Sequence, residues 1–103
     1  MNAPNGTVYR IVQSKQALDR LQELYQMARA EGSSSQCAAA VRQILARLQM
    51  NPLRFSEPRF SLPHAGLEIR ACAEVPLMAE YGVHRERRIV FIRDFAPLPE
   101  PEL

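Results

Sequence analysis

The chain has 103 residues, a formal net charge of +2, 47% hydrophobic residues and 23% charged residues. That length suits one hydrophobic core rather than two, and the apolar content can build it without disulfide or metal staples. Apolar runs stop at about five residues, far short of the roughly 20 that span a bilayer, and Met1-Asn2-Ala3-Pro4-Asn5-Gly6 lacks the basic-then-apolar order of a signal peptide.

The expected protein is therefore cytoplasmic: a lead-in at 1–7, one domain over 8–96 and a Pro-rich tail over 97–103. Val8-Tyr9-Arg10-Ile11-Val12 is β-branched and apolar, a first strand. Ser14 offers an N-cap, after which Leu18, Leu21, Leu24, Tyr25 and Ala28 form one stripe of a helix from about Lys15 to Glu31. Gly32 stops it. Ser33-Ser34-Ser35 make a short turn whose last serine can cap the next helix, so the two helices form an antiparallel hairpin. The second helix, about Gln36 to Met50, sets Val41, Ile44, Leu45 and Leu48 on one face, and Asn51-Pro52 ends it.

Between Asn51 and Gly66, three prolines and several polar residues predict a crossing loop. Leu53, Phe55, Phe60 and Leu62 are too apolar for a bare linker and are expected under the helices. From Leu67 the period becomes two: Leu67, Ile69, Ala71, Ala73 and Val75 alternate with Glu68, Arg70, Cys72 and Glu74, a half-exposed strand. Pro76 interrupts. A second strand carries Leu77, Ala79, Tyr81 and Val83 on one face, and Arg85-Glu86-Arg87 makes a polar hairpin turn. Arg88-Ile89-Val90-Phe91-Ile92-Arg93 is apolar on both faces and predicts a central strand, with Phe91 and Phe95 assigned to the core. The fold class is α+β, in the order β-α-α-β-β-β, with the helix hairpin packed on one face of a small twisted antiparallel sheet.

Signatures of familiar chemistry are few. The four glycines are scattered, so there is no phosphate-cradling loop, and no cofactor is implied. His64 and His84 lack Cys or carboxylate neighbours at zinc spacing. Cys37 and Cys72 read as small buried or half-buried apolar residues. Of the 13 basic residues, Lys15 alone is lysine; arginine's planar fork suits phosphate and carboxylate, although the plainer account of the excess is a GC-rich genome that favours Arg and Ala codons. The cluster Arg85, Arg87, Arg88 and Arg93, with Arg70 on a neighbouring strand, is placed to collect phosphates. Its plainer reading is solvated hairpin charge, just as Glu68, Glu74 and Glu80 read first as cross-strand partners of Arg70 or Arg88.

Several stretches act together: Tyr9-Arg10-Ile11-Val12 before Ser14, Ala17-Leu18-Asp19-Arg20-Leu21 opening the first helix, and Leu48-Gln49-Met50-Asn51-Pro52 closing the hairpin. Leu67-Glu68-Ile69-Arg70 and Arg88-Ile89-Val90-Phe91-Ile92 complete the set. Over about Val8 to Phe95 the chain resembles the RelE/ParE superfamily of bacterial toxins from type II toxin–antitoxin systems. The resemblance implies a cognate antitoxin as partner. It also implies mRNA on the ribosome as the target of an endoribonuclease, or, as the less favoured target, DNA gyrase; no membrane is implied. The sequence departs from the family pattern at two places. Ala73-Glu74-Val75-Pro76-Leu77-Met78 replaces a Gly-Asp-Tyr-Arg-like segment, with Met78 near the expected arginine, and Arg93-Asp94-Phe95 replaces a Gly-His-Arg ending. Under the resemblance Arg70 and Arg88 would hold the phosphate, with Arg93 and His84 next in line, and activity is expected to be weak or absent. The alternative is a non-catalytic protein-interaction module on the same scaffold.

Overall fold

Ser14 fixes how the first strand hands over to the first helix. The computed structural model describes residues 8–54 and 56–98; the expected lead-in at 1–7, Phe55, and 99–103 of the tail lie outside them. β1 (Arg10–Gln13) leads directly into α1 (Lys15–Ala30). Ser14 accepts a hydrogen bond at Oγ from the Ala17 N–H (3.0 Å), donates from Oγ to the Arg93 carbonyl (3.2 Å), and donates its own N–H to the Ile92 carbonyl (3.0 Å). One residue thus caps the helix and ties its start to the last strand.

Gly32 ends α1 in the left-handed region, φ +76°. The Ser33 N–H reaches the Ala28 carbonyl and the Gly32 N–H the Arg29 carbonyl, the paired bonds of a Schellman motif. α2 (Ser34–Met50) follows, starting two residues earlier than expected; its N-cap is Ser33, whose side chain makes no capping bond. Cys37, Ala40, Val41, Ile44 and Leu48 form its buried stripe, and α1 buries Ala17, Leu24 and Ala28.

Four strands follow: β2 (Ser56–Leu62), β3 (Leu67–Glu74), β4 (Leu77–His84) and β5 (Ile89–Pro97). The sheet order is β1-β5-β4-β3-β2, antiparallel from β2 through β5, with β1 parallel to β5. The helix hairpin lies on one face of this twisted sheet, as the α+β reading requires.

Two details differ from the sequence expectation. The sheet is mixed rather than wholly antiparallel, because both helices carry the chain from β1 at one edge to β2 at the other, and the meander then brings β5 back beside β1 in the same direction. The loop expected over 51–66 contains a seven-residue edge strand, β2. An edge tolerates Pro58, which has no N–H to give, and the register shifts between Pro58 and Phe60. Leu53 does pack against the core, but Phe60 is 49% exposed on the side away from the helices.

Register separates the two faces. Cys72 opposes Ala79, which opposes Phe95; Arg70 opposes Tyr81, which opposes Ile92. Ala79, Tyr81, Ile92 and Phe95 are core residues packed with the helices, so Glu68, Arg70, Cys72 and Glu74 form the helix-facing row of β3. The apolar row of β3 faces the other way.

Candidate functional site: the uncovered face of the sheet

The uncovered face carries one row that crosses all five strands. Val12 opposes Phe91, Phe91 opposes Gly82, Gly82 opposes Ile69, and Ile69 opposes Phe60. At its ends Val12, Phe91 and Phe60 are 38%, 36% and 49% exposed, while Ile69 at the centre is 1% exposed. Ile69 fits because Gly82 offers no side chain: a Cβ there would stand 3.1 Å from Ile69 Cδ1. Phe91, expected in the core beside Phe95, is thus at the surface, while Phe95 is fully buried.

The four residues nominated from sequence do not converge. Arg70 lies on the helix-facing side and is 9% exposed. Its Nε donates to Ser56 Oγ (2.7 Å), Nη2 donates to the carbonyls of Leu53 (3.3 Å) and Ser56 (3.2 Å), and Nη1 donates to Glu68. Tyr81, opposite it, donates its hydroxyl to the Pro52 carbonyl at 2.5 Å. Together they hold the segment after α2 against the sheet, and little of the guanidinium is left for a ligand. Glu68 also accepts from Arg85 Nη2 at 2.8 Å; that bond, joined by the one from Arg70, holds its carboxyl below the usual range.

Arg93 is on the uncovered face. Its guanidinium stands 3.7 Å from Glu80 and 5.9 Å from the centre of the Phe60 ring. β4 and β3 lie between the strands that carry these two side chains, so Arg93 reaches across the open face toward Phe60. His84, at the end of β4 on the same face, accepts the Arg87 N–H at Nδ1 (3.2 Å). Its Nε2 lies where a Cβ on Gly66 would come within 3.0 Å. The imidazole supports the hairpin turn, with its proton on Nε2 when neutral.

Arg88 closes that turn with φ +55°, a left-handed conformation that costs a non-glycine residue about 1 kcal/mol or more. Its guanidinium sits 5.8 Å over the Tyr9 ring, and its carbonyl accepts the Arg10 N–H. Arg10 was not singled out from sequence, yet it shares the uncovered face with Val12. It lines a cleft with Val8, Glu86, Arg87, Arg88 and Ile89. An alternating strand gives such a signal only when its partner and register are known.

Elsewhere, Glu74 pairs with Arg47 of α2 at 2.9 Å rather than with a neighbouring strand, and His64 is exposed. Burial raises the Cys37 thiol and pushes Cys72 up to about 11, so neither is a ready nucleophile. Among the described residues no group of three or more His, Cys, Asp or Glu could hold a metal ion, and no helix is long and apolar enough to cross a membrane.

No protein-family model matches the sequence, and no curated protein does. Among solved structures the chain is similar to a chain of the archaeal RelE–RelB complex from Pyrococcus horikoshii OT3. The TM-score is 0.55 and the identity 16%, over 87% of this chain and 94% of that one. The fold is RelE-like: a helix hairpin on one face of a small mixed sheet, with the other face left open.

Proposed function

We propose that this chain is a divergent toxin-like component of a type II toxin–antitoxin system that acts through protein binding, with RNA cleavage weak or absent. The RelE-like scaffold supports the first part, since the similar structure is a complex with RelB. The observation that carries the second is the burial of Arg70, which spends its donors on Ser56, Leu53 and Glu68 on the covered face. In-line attack by a 2′-hydroxyl needs a cation at the phosphate oxygens and a base near the hydroxyl. On the open face Arg93 is already paired with Glu80, and His84 is set in the turn. Loss of one preorganised cationic contact costs on the order of 100-fold in rate.

The test expresses the chain in a bacterium with and without the product of the adjacent reading frame, followed by pull-down and by mapping of mRNA ends. Growth arrest relieved by the neighbour, with co-purification and little cleavage, is the expected result. Strong cleavage that survives Arg70→Ala would overturn the weak-activity reading. Met78→Arg places a guanidinium on the open-face row of β4 and is expected to raise any cleavage. Growth arrest with intact mRNA would direct attention to gyrase.

A further inference from the structure

His84 joins two turns. β4 ends at His84, β5 begins at Ile89, and the four residues between them form the hairpin tip. Nδ1 of His84 accepts the Arg87 N–H (3.2 Å), and the Arg88 N–H reaches the Arg85 carbonyl (3.3 Å). The far side of the ring rests on Gly66, where φ is +67° and a Cβ would stand 3.0 Å from Nε2. One imidazole thus ties the tip of β4–β5 to the connection between β2 and β3. The closed tip keeps Arg88 in the left-handed region, φ +55°, and so aims its carbonyl at the Arg10 N–H (2.9 Å), where β1 begins its pairing with β5.

We propose that His84 is a proton-sensitive latch on this tip. The neutral ring closes the turn through the Arg87 N–H. The protonated ring is a donor at both nitrogens, so Nδ1 has no lone pair left to accept that bond. The tip then opens, Arg88 leaves its strained conformation, and its carbonyl withdraws from Arg10. Histidine is the side chain that ordinarily changes charge between pH 5 and 8.

The charges around the ring agree with two arrangements of the tip. From the tip itself come Arg85, Glu86, Arg87 and Arg88, from β3 Glu68, and from the connection before Gly66 the exposed His64. Glu68 is bonded to Arg85 and Arg70, and its carboxyl, held below the usual range, keeps its charge from pH 8 to 5. It is common to both arrangements. Glu86 shares a cleft with His84 and makes no ion pair among the described residues, so it is the carboxylate placed to take the new Nδ1–H once the tip opens. Arg87 and Arg88 repel an imidazolium, and opening separates the three charges. The neighbouring cleft lined by Arg10, Glu86, Arg87 and Arg88 then has one shape at neutral pH and another at pH 5.

Nuclear magnetic resonance of the full chain from pH 8 to pH 5 tests the latch, following the ring C–H signals of both histidines beside the backbone amides. The Arg87 amide is expected to shift along the same curve as the His84 ring. Its exchange protection, corrected for the intrinsic rate at each pH, is expected to fall about fivefold or more, with Arg10 following and Tyr81 and Ile92 unchanged. His84→Asn keeps a side-chain acceptor but no titrating nitrogen, and should hold Arg87 protected at both ends of the range; His64→Gln should leave the native curve as it is. A His84 ring that titrates while the Arg87 and Arg10 amides stay still would overturn the proposal, as would a ring that does not titrate in this range. Opening that persists in His84→Asn, or that vanishes in His64→Gln, would assign it to another group. If His84→Asn does not fold, the native ring and amide curves decide between one midpoint, as expected, and two, which overturns the latch.

Discussion

The two faces of one sheet have been built to opposite ends. On the covered face, Tyr81, Ile92 and Phe95 are buried to 1% exposure or less, and the polar groups among them are bonded: Tyr81 to Pro52, Arg70 to Ser56, Leu53 and Glu68. On the open face Phe91 and Phe60 are exposed, while Ile69 between them is buried over Gly82. Stability is concentrated on one side and surface available for binding on the other. Arginine serves both: Arg70 as a buried clamp and Arg93 as a surface arm, 23 positions apart in a chain whose arginines look alike.

The sharpest way to break this comparison is a pair of neighbours on β5. Ile92→Ala should cost about 3–4 kcal/mol, because the deleted atoms leave a cavity between sheet and helices. Phe91→Ala, one residue away on the open side, should cost about 1 kcal/mol or less. Urea denaturation of both measures it. Equal losses would mean that the open face is closed by something in the folded protein itself.

A second test concerns the clamp. Arg70→Ala should cost about 2–4 kcal/mol, since it strips one partner from the half-buried Glu68 carboxylate and removes donors from Ser56 Oγ and from the Leu53 and Ser56 carbonyls, while Ser56 keeps its bond to the Pro52 carbonyl. Arg70→Lys should recover less than half of that, because an ammonium cannot span Ser56, Leu53 and Glu68 at once. Arg93→Ala should leave the unfolding midpoint nearly unchanged; its pair with Glu80 is half-exposed and long.

The contrast between faces also explains what could be read from sequence. Helix positions, the Gly32 stop and the meander from Leu67 followed from periods of 3.6 and 2, signals that each segment carries alone. Face assignment did not. In β3 the row containing Ile69 and Ala71 is the more apolar, so it reads as the core side. Yet the chain turns Arg70 and Cys72 toward the helices, because Arg70 finds its partners on the segment after α2, 14 to 17 residues back. β2 was hidden for a related reason: Pro58 and the register shift erase the alternation, and pairing with β3 alone sustains the strand. Phe60 and Phe91 looked like core because aromatic residues in a small chain usually are. Their exposure followed from register, which no single segment encodes.

The smallest effect separates the faces by pH. Glu68 belongs to the covered row, and its carboxyl is held below the usual range first by the bond from Arg85, then by that from Arg70, against burial that pushes it up. A carboxylate whose pKa is lower folded than unfolded adds stability above the unfolded value, about 4.3 for glutamate, and loses that contribution as pH falls through the folded value. Stability conferred by Glu68 is therefore full at neutral pH and declines below about pH 4. Glu68→Gln should lower stability at pH 7 and narrow the gap to the native protein as pH drops from 5 to 3. Urea midpoints at pH 7, 5, 4 and 3 give the curve. A gap that stays constant across that range would show that the carboxylate's charge, as opposed to its shape, contributes nothing to the clamp. Arg85→Ala separates the two bonds: it removes the exposed arm and leaves Arg70 in place, so its pH dependence should resemble the native curve with a smaller amplitude.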